Sequence, residues 1–279
     1  MLWIAFFEYF VTFRYHAEES MPERSPTIPR ILHYTWLTDR EKPPEVVKRI
    51  ESWYKHCRGW LIVEWNAFSL PRIHNKYISQ ASRANYWPFL DDYVGLYALL
   101  HYGGVYIDSD VELLRPLDEL LNATFFLGQE VAFGYYTAST HIIGAVPHNE
   151  IIGDILSECS KEDMFDTSGL PNYYTPSARF CQYFLNKFGV DATLELNNTV
   201  LTHSSYLYPW WYFYKENDGY KSWAIQHTEN QYKNENQKHR ERTTIVLDET
   251  VKNHFGPVNI IVLLCVGLAL GLPMHSACT

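Results

Sequence analysis

The chain has 279 residues, of which 47% are hydrophobic and 20% charged, an ordinary globular composition that allows one sizeable core with an appendage. A formal net charge of −9 argues against a broad nucleic-acid surface, which needs clustered Lys and Arg. It also means that a phosphate-bearing substrate must be met by local basic groups or by a bound cation.

The five cysteines form no CxxC pair, so a zinc knuckle is not expected. Their odd number and wide spacing do not describe a disulfide scaffold. Cys159 and Cys181 are the pair that an oxidising compartment could bridge. Two sequons, Asn122-Ala-Thr124 and Asn197-Asn-Thr199, matter only in the secretory pathway. The aromatic share is high at 16%. Such rings suit stacking on a base or a sugar face, although each ring singly reads more simply as core filling.

Residues 1–27 comprise an apolar, aromatic start and a Pro/Ser-rich linker. The start lacks a basic flank and contains Glu8, so it is a poor signal peptide and too short to span a bilayer. It reads either as the remnant of a membrane anchor or as a loose terminus. Residues 31–36 predict a first strand. Pro43 and Pro44 open a helix in which Val46, Val47, Ile50, Trp53 and Tyr54 recur at helical spacing. Gly59 closes it, and residues 60–65 predict a second strand. Strand, helix and strand in that order point to a parallel α/β sheet.

Helices are predicted over 75–84 and 88–102, the second ended by Gly103. Residues 105–114 have strand character broken by an acidic turn, and 124–128 and 141–146 are shorter strand candidates. Residues 149–159 and 176–188 read as amphipathic helices. An aromatic-rich stretch, 206–214, is followed by a polar one, 215–242, expected to be loop. The tail, 236–279, holds an apolar run at 258–274 with a GxxxG spacing. That run is marginal as a span and reads either as a membrane helix or as a buried one.

The informative stretch is 91–114, DDYVGLYALLHYGGVYIDSDVELL. A helix ends at Gly103-Gly104, a buried strand follows, and the strand ends in Asp108-Ser109-Asp110. Open α/β sheets bind ligands at the carboxyl ends of their strands. Two carboxylates two residues apart at such an end can face a common point, and hard oxygen ligands suit Mg²⁺ or Mn²⁺. A cation there would hold a diphosphate and neutralise the charge that develops as it leaves. A lone DxD triplet is a weak signal, usually a solvated turn. The apolar strand and the double glycine before it give it weight.

Several blocks together resemble glycosyltransferase family 32. Residues 28–36, IPRILHYTW, are similar to the family's opening IPxxIHxxW. Glu51-Ser52-Trp53 resembles its SW helix, Val63 to Asn66 its WN strand, and 90–114 its SDxxRxxxLxxxGGxYxDxDxxxL block. The resemblance runs from about residue 28 to 227. It implies a GT-A fold, Rossmann-like, with a mixed, mainly parallel sheet flanked by helices over 28–235. It also implies transfer of a hexose or N-acetylhexosamine from a UDP- or GDP-linked sugar to a glycan or glycolipid, with retention and with Mn²⁺ or Mg²⁺.

By the same resemblance Asp108 and Asp110 are the DxD pair. Asp110 is the more direct metal ligand, and Asp108 lies nearer the ribose and donor sugar. Asp92 orients sugar hydroxyls. His33 and Trp36 lie near the base, and Gly103 and Gly104 allow close backbone approach. His227 matches the closing element and is a candidate metal or phosphate contact, although Thr228 follows where the family has Ser-Trp. The family's helix Arg is replaced by Gly95, a change that bears on donor choice or activity. No second carboxylate placed to attack is evident, so no nucleophile is named. Membrane association in the Golgi or secretory pathway is the expected setting. A catalytically degenerate relative that binds sugar nucleotide or glycan is the alternative.

Overall fold

The computed structural model describes residues 27–68, 75–84, 87–132, 135–165, 175–197, 200–214 and 222–227. The apolar N-terminal segment, nearly all of the 215–242 loop and the 258–274 run lie outside the described residues. Among the described residues no helix is long and apolar enough to cross a membrane.

The expected strand–helix–strand start is β1 (Ile31–Trp36), α1 (Pro44–His56) and β2 (Leu61–Asn66). Then come α2 (Lys76–Arg83) and α3 (Trp87–Tyr102), and then β3 (Gly104–Ile107) and β4 (Val111–Leu113). A hairpin, β5 (Phe125–Ala132) and β6 (Tyr135–Ala145), precedes α4 (Glu150–Lys161) and α5 (Pro176–Phe188). Three short strands close the order: β7 (Val200–Thr202), β8 (Ser205–Tyr208) and β9 (Ala224–Gln226).

Seven strands form one mixed sheet in the order β2-β1-β3-β6-β5-β8-β7. β1, β2, β3, β5 and β8 run one way, and β6 and β7 run against them. The carboxyl ends of the five co-directional strands therefore share one edge. Strand alternation sends neighbouring residues to opposite faces. Tyr106, Phe125 and Leu127 meet α2, α3, α4 and α5, while Val105, Ile107 and Phe126 meet α1 and Phe213. Each large side chain fully buried in these layers contributes about 1.5–3 kcal/mol.

The chemistry of the helix ends is local. Asn75, Asn149 and Thr175 accept from first-turn amides of α2, α4 and α5. The acidic turn does more than interrupt one strand. β3 belongs to the main sheet, whereas β4 leaves it and pairs antiparallel with β9. The β5/β6 hairpin extends well beyond the two short strands expected from sequence. Cys159 and Cys181 are separate buried thiols, so the candidate bridge is not formed.

The Ser52-Trp53 pair on α1 holds β4 in place. Trp53 is 0% exposed, and its Nε1 donates to the Val111 carbonyl at 2.9 Å. The Leu113 amide donates to Ser52 Oγ at 3.0 Å. Trp53→Phe keeps most of the apolar burial but strands a buried carbonyl. A loss of about 1–3 kcal/mol is expected, read as a lower midpoint in urea denaturation.

Candidate active site at the end of the central strand

β3 is fully buried, and the chain leaves it through a tight turn in which the Val111 amide donates to the Asp108 carbonyl at 3.0 Å. Three neighbours fix that turn. The Asp108 amide donates to the His141 carbonyl of β6 at 2.9 Å, and the His227 amide donates to the Asp110 carbonyl at 2.9 Å. Gln226 on β9 hydrogen-bonds the Asp110 side chain.

The carboxyls so placed are crowded. Burial raises the Asp108 pKa to about 6, partly offset by the charge of His141 and a hydrogen bond from Tyr106. Burial, then the Asp108 charge, raises Asp110 to about 7, against His141, Arg49 and Gln226. Asp92 on α3 retains some surface as a residue, yet its carboxyl is enclosed. Burial and then Asp108 push it well above the usual carboxylate range, and a hydrogen bond with Thr140 opposes them. Asp92, Asp108 and Asp110 are thus brought together at the sheet edge where ligands bind.

Oδ1 of Asp110 is buried with no hydrogen-bond partner among the described residues. A buried charged acceptor left unpaired is costly, and a cation at that oxygen removes the cost. Among the described residues no group of three or more His, Cys, Asp or Glu is arranged to hold a metal. Two carboxylates fit the way Mg²⁺ is usually held, by one or two protein oxygens with water and substrate phosphate supplying the rest. The residues present therefore fit a hard divalent cation.

Other residues named from the sequence are used inside the fold. His33 is 1% exposed. Its Nε2 faces the Gly103 carbonyl at 2.9 Å, and Nδ1 accepts from Trp65 Nε1 at 3.2 Å. Both nitrogens are thus engaged by the protein, and the ring braces the end of α3 instead of facing a base. Gly103 and Gly104 lie at the amino end of β3, the far end from Asp108. Their φ values are +63° and +108°, and an added Cβ would strike Pro147 or the Ile31 carbonyl. They serve the turn and the packing, not approach to a donor. Trp36 does lie at the carboxyl end of β1, but it is 6% exposed and donates to the Arg40 carbonyl at 2.8 Å, with Lys42 over its ring. His227 Nε2 pairs with Glu112 at 3.0 Å, so the ring nitrogen at that contact is occupied.

Burial lowers the His33 pKa to about 4, the hydrogen bond to Gly103 only partly opposing it. A histidine depressed on folding leaves stability intact above its unfolded pKa near 6.5 and erodes it as pH falls toward 4. The loss across that window is of order 2–3 kcal/mol. His33→Gln is expected to flatten the fall in urea midpoint between neutral pH and pH 5, relative to wild type.

The sequence reading missed several residues that surround the pair. Arg49 of α1 and Gln226 act on Asp110, Thr140 and His141 reach Asp92 and Asp108, and Glu130 acts on both of the latter. Arg49 sits among helix residues, and Glu130, Thr140 and His141 lie in an alternating strand. The only signal available was the unusual polarity of Ser139-Thr140-His141 before an apolar run. The missing helix Arg has a structural counterpart. A Cβ at Gly95 would lie 2.8–2.9 Å from the Tyr106 ring.

Residues 43–127 match the family described as the glycosyltransferase sugar-binding region containing DXD motif. A curated relative, inositol phosphoceramide mannosyltransferase 1 of Schizosaccharomyces pombe (strain 972 / ATCC 24843), is 26% identical over 188 residues. That match takes in 60% of this chain and 56% of the relative, little more than half of its length. Among solved structures, the PaToxG glycosyltransferase is similar at 14% identity and a TM-score of 0.37, over 47% of this chain and 60% of that one. A glycosyltransferase involved in the glycosylation of the major capsid of PBCV-1 is similar at 11% identity and a TM-score of 0.36, over 66% and 84%. The family match and the curated relative support a glycosyltransferase of the family-32 type.

Proposed function

We infer that this chain, a glycosyltransferase of the DXD sugar-binding type, moves a hexose or N-acetylhexosamine from a nucleoside diphosphate sugar to a glycan or glycolipid acceptor. The observation that carries the reading is the buried oxygen of Asp110, without a partner among the described residues, beside Asp108 at the exit of the central strand. Asp110 and Asp108 would hold Mn²⁺ or Mg²⁺, which would supply neutralisation of the charge on the leaving diphosphate.

The chain's own groups do the remaining work. Asp92, enclosed and tied to Thr140, hydrogen-bonds donor sugar hydroxyls. Arg49 adds positive charge beside Asp110. The β4/β9 pair follows the turn, and the His227 amide holds the Asp110 carbonyl. The product retains the anomeric configuration of the donor. The S. pombe relative makes a mannose donor and an inositol phosphoceramide acceptor the first to try, and the setting proposed is membrane-associated and secretory.

The test is a panel of UDP- and GDP-sugars with purified full-length protein and Mn²⁺, scored by released nucleoside diphosphate. Metal-dependent hydrolysis that vanishes in Asp110→Ala is expected. Metal-dependent binding without turnover of any donor would make the chain a binding relative, the reading that Gly95 favours. Failure to bind any nucleotide sugar would sink both.

A further inference from the structure

A retaining transfer by two successive displacements needs a carboxylate that meets the reacting carbon and leaves again. The sequence displays none, but the fold brings one to the site. In the β5/β6 hairpin, Leu127 pairs with Ile143 and Gly128 pairs with Ser139, so residues 140–142 have no partner on β5, although Ile142 still pairs with Ile107 of β3. Such irregularities re-aim side chains. Here Thr140 reaches Asp92, and the His141 carbonyl takes the Asp108 amide.

Glu130 lies two residues past that slip, toward the carboxyl end of β5 and on the edge that carries Asp108. Ser139 and His141, which hold it, are each 1% exposed, whereas the Glu130 side chain keeps 22% of its surface. Ser139 Oγ donates to Oε2 at 2.9 Å, and His141 Nδ1 stands 3.6 Å from the same oxygen. The other His141 nitrogen is fixed on the Phe213 carbonyl at 3.1 Å. Oε1 has no hydrogen-bond partner among the described residues. His141, which contacts Glu130, also gives its carbonyl to the Asp108 amide, so Glu130 and the acidic turn meet on one residue. Asp92 is the poorer candidate, because its carboxyl is enclosed and already hydrogen-bonded to Thr140.

We propose that Glu130 is the catalytic nucleophile, its Oε1 attacking the anomeric carbon of the donor. This deepens the transferase reading and rests on it. In the first displacement the Oε1–C1 bond forms while the bond from C1 to the phosphate oxygen breaks, and the electron pair leaves with the nucleoside diphosphate. In the second, the acceptor hydroxyl oxygen attacks C1 and the C1–Oε1 bond breaks, returning its pair to the carboxylate. The hydroxyl proton passes to the departed diphosphate. Two inversions leave the configuration retained. Ser139 and His141 are positioning residues that fix Oε2 and leave Oε1 for the attack.

The experiment compares the wild-type chain with Glu130→Gln and Glu130→Ala in Mn²⁺. Nucleotide binding is measured by calorimetry and donor turnover by nucleoside diphosphate release. The expected result is nucleotide affinity within about threefold of wild type with turnover lowered about 10³-fold in Glu130→Gln. Azide should restore nucleotide release to Glu130→Ala and give a glycosyl azide of inverted configuration. A 2-deoxy-2-fluoro donor should add a glycosyl mass to the wild-type peptide containing Glu130. Turnover of Glu130→Gln within about tenfold of wild type overturns the assignment, as does loss of nucleotide binding in that variant, which would mark a structural role. A wild-type chain that turns over no donor overturns the transferase reading itself.

Discussion

Asp110→Asn is expected to stabilise the metal-free protein at pH 8 while abolishing Mn²⁺-dependent donor turnover. The Asp110 carboxyl is raised to about 7, by burial first and then by Asp108. A group whose pKa rises on folding favours the native state below its unfolded pKa, near 3.8, and that benefit is lost as pH climbs through 7. At pH 8 the native chain therefore carries two crowded carboxylates, one with a buried oxygen that no described residue satisfies. Removing that charge recovers about 1–3 kcal/mol, and each kcal/mol is worth about 2–4 °C in melting temperature. Mn²⁺ should raise the wild-type melting temperature and leave the variant unmoved. Turnover should fall by at least about 10²–10³-fold, the scale of losing a principal electrostatic stabiliser. A variant less stable than wild type at pH 8 without metal would contradict this account of the pair.

Gly95→Arg, which restores the residue type of the family pattern, is expected to damage the protein instead of improving it. An Arg gains roughly 1 kcal/mol over Gly in helix propensity. Against that, its Cβ would enter the Tyr106 ring, with three ring carbons at 2.8–2.9 Å. The ring cannot step aside easily. Tyr106 is 1% exposed, its hydroxyl lies 3.2 Å from Thr35 Oγ1, and it hydrogen-bonds Asp108. Overpacking plus a guanidinium forced toward a closed helix–sheet seam should cost about 3–5 kcal/mol, more than the propensity gain returns. The checks are the urea midpoint and turnover. Gly95→Ala should show the same sign with a smaller loss. An Arg variant as stable as wild type with raised turnover would show that α3 can move outward and that the cationic fork had simply been lost.

Much of the framework could be read from the chain because its signals are local. Pro43-Pro44, the helical spacing through Trp53 and Tyr54, and the glycine pair before β3 each act within a few residues. They delivered β1, α1, β2, α3 and β3 nearly to their observed limits. Asp92, Asp108 and Asp110 were legible for a related reason: one helix, one turn and one strand carry them together in sequence. What was hidden depends on register. Whether Glu130, Thr140 and His141 face the aspartates is set by the slip between Leu127 and Gly128, and no periodicity encodes such a slip. His33 and Trp36 show the opposite limit. Their place in a motif was visible, but only the structure reveals that Gly103, Trp65 and Arg40 have already taken their polar atoms. β9 is three residues long and has meaning only through β4.

That pairing bears on biosynthesis. The turn carrying the aspartates leaves the ribosome well before Ala224, Gln226 and His227, which lie more than a hundred residues downstream. Until they arrive, β4 lacks its strand partner and the Asp110 carbonyl lacks its donor. Long-range pairings of this kind form late because the intervening chain must first be ordered. A nascent or prematurely terminated polypeptide ending before residue 224 would carry every acidic side chain of the centre, yet not the clasp that sets them. The setting of the acidic centre is thereby deferred until residues 224–227 have been made.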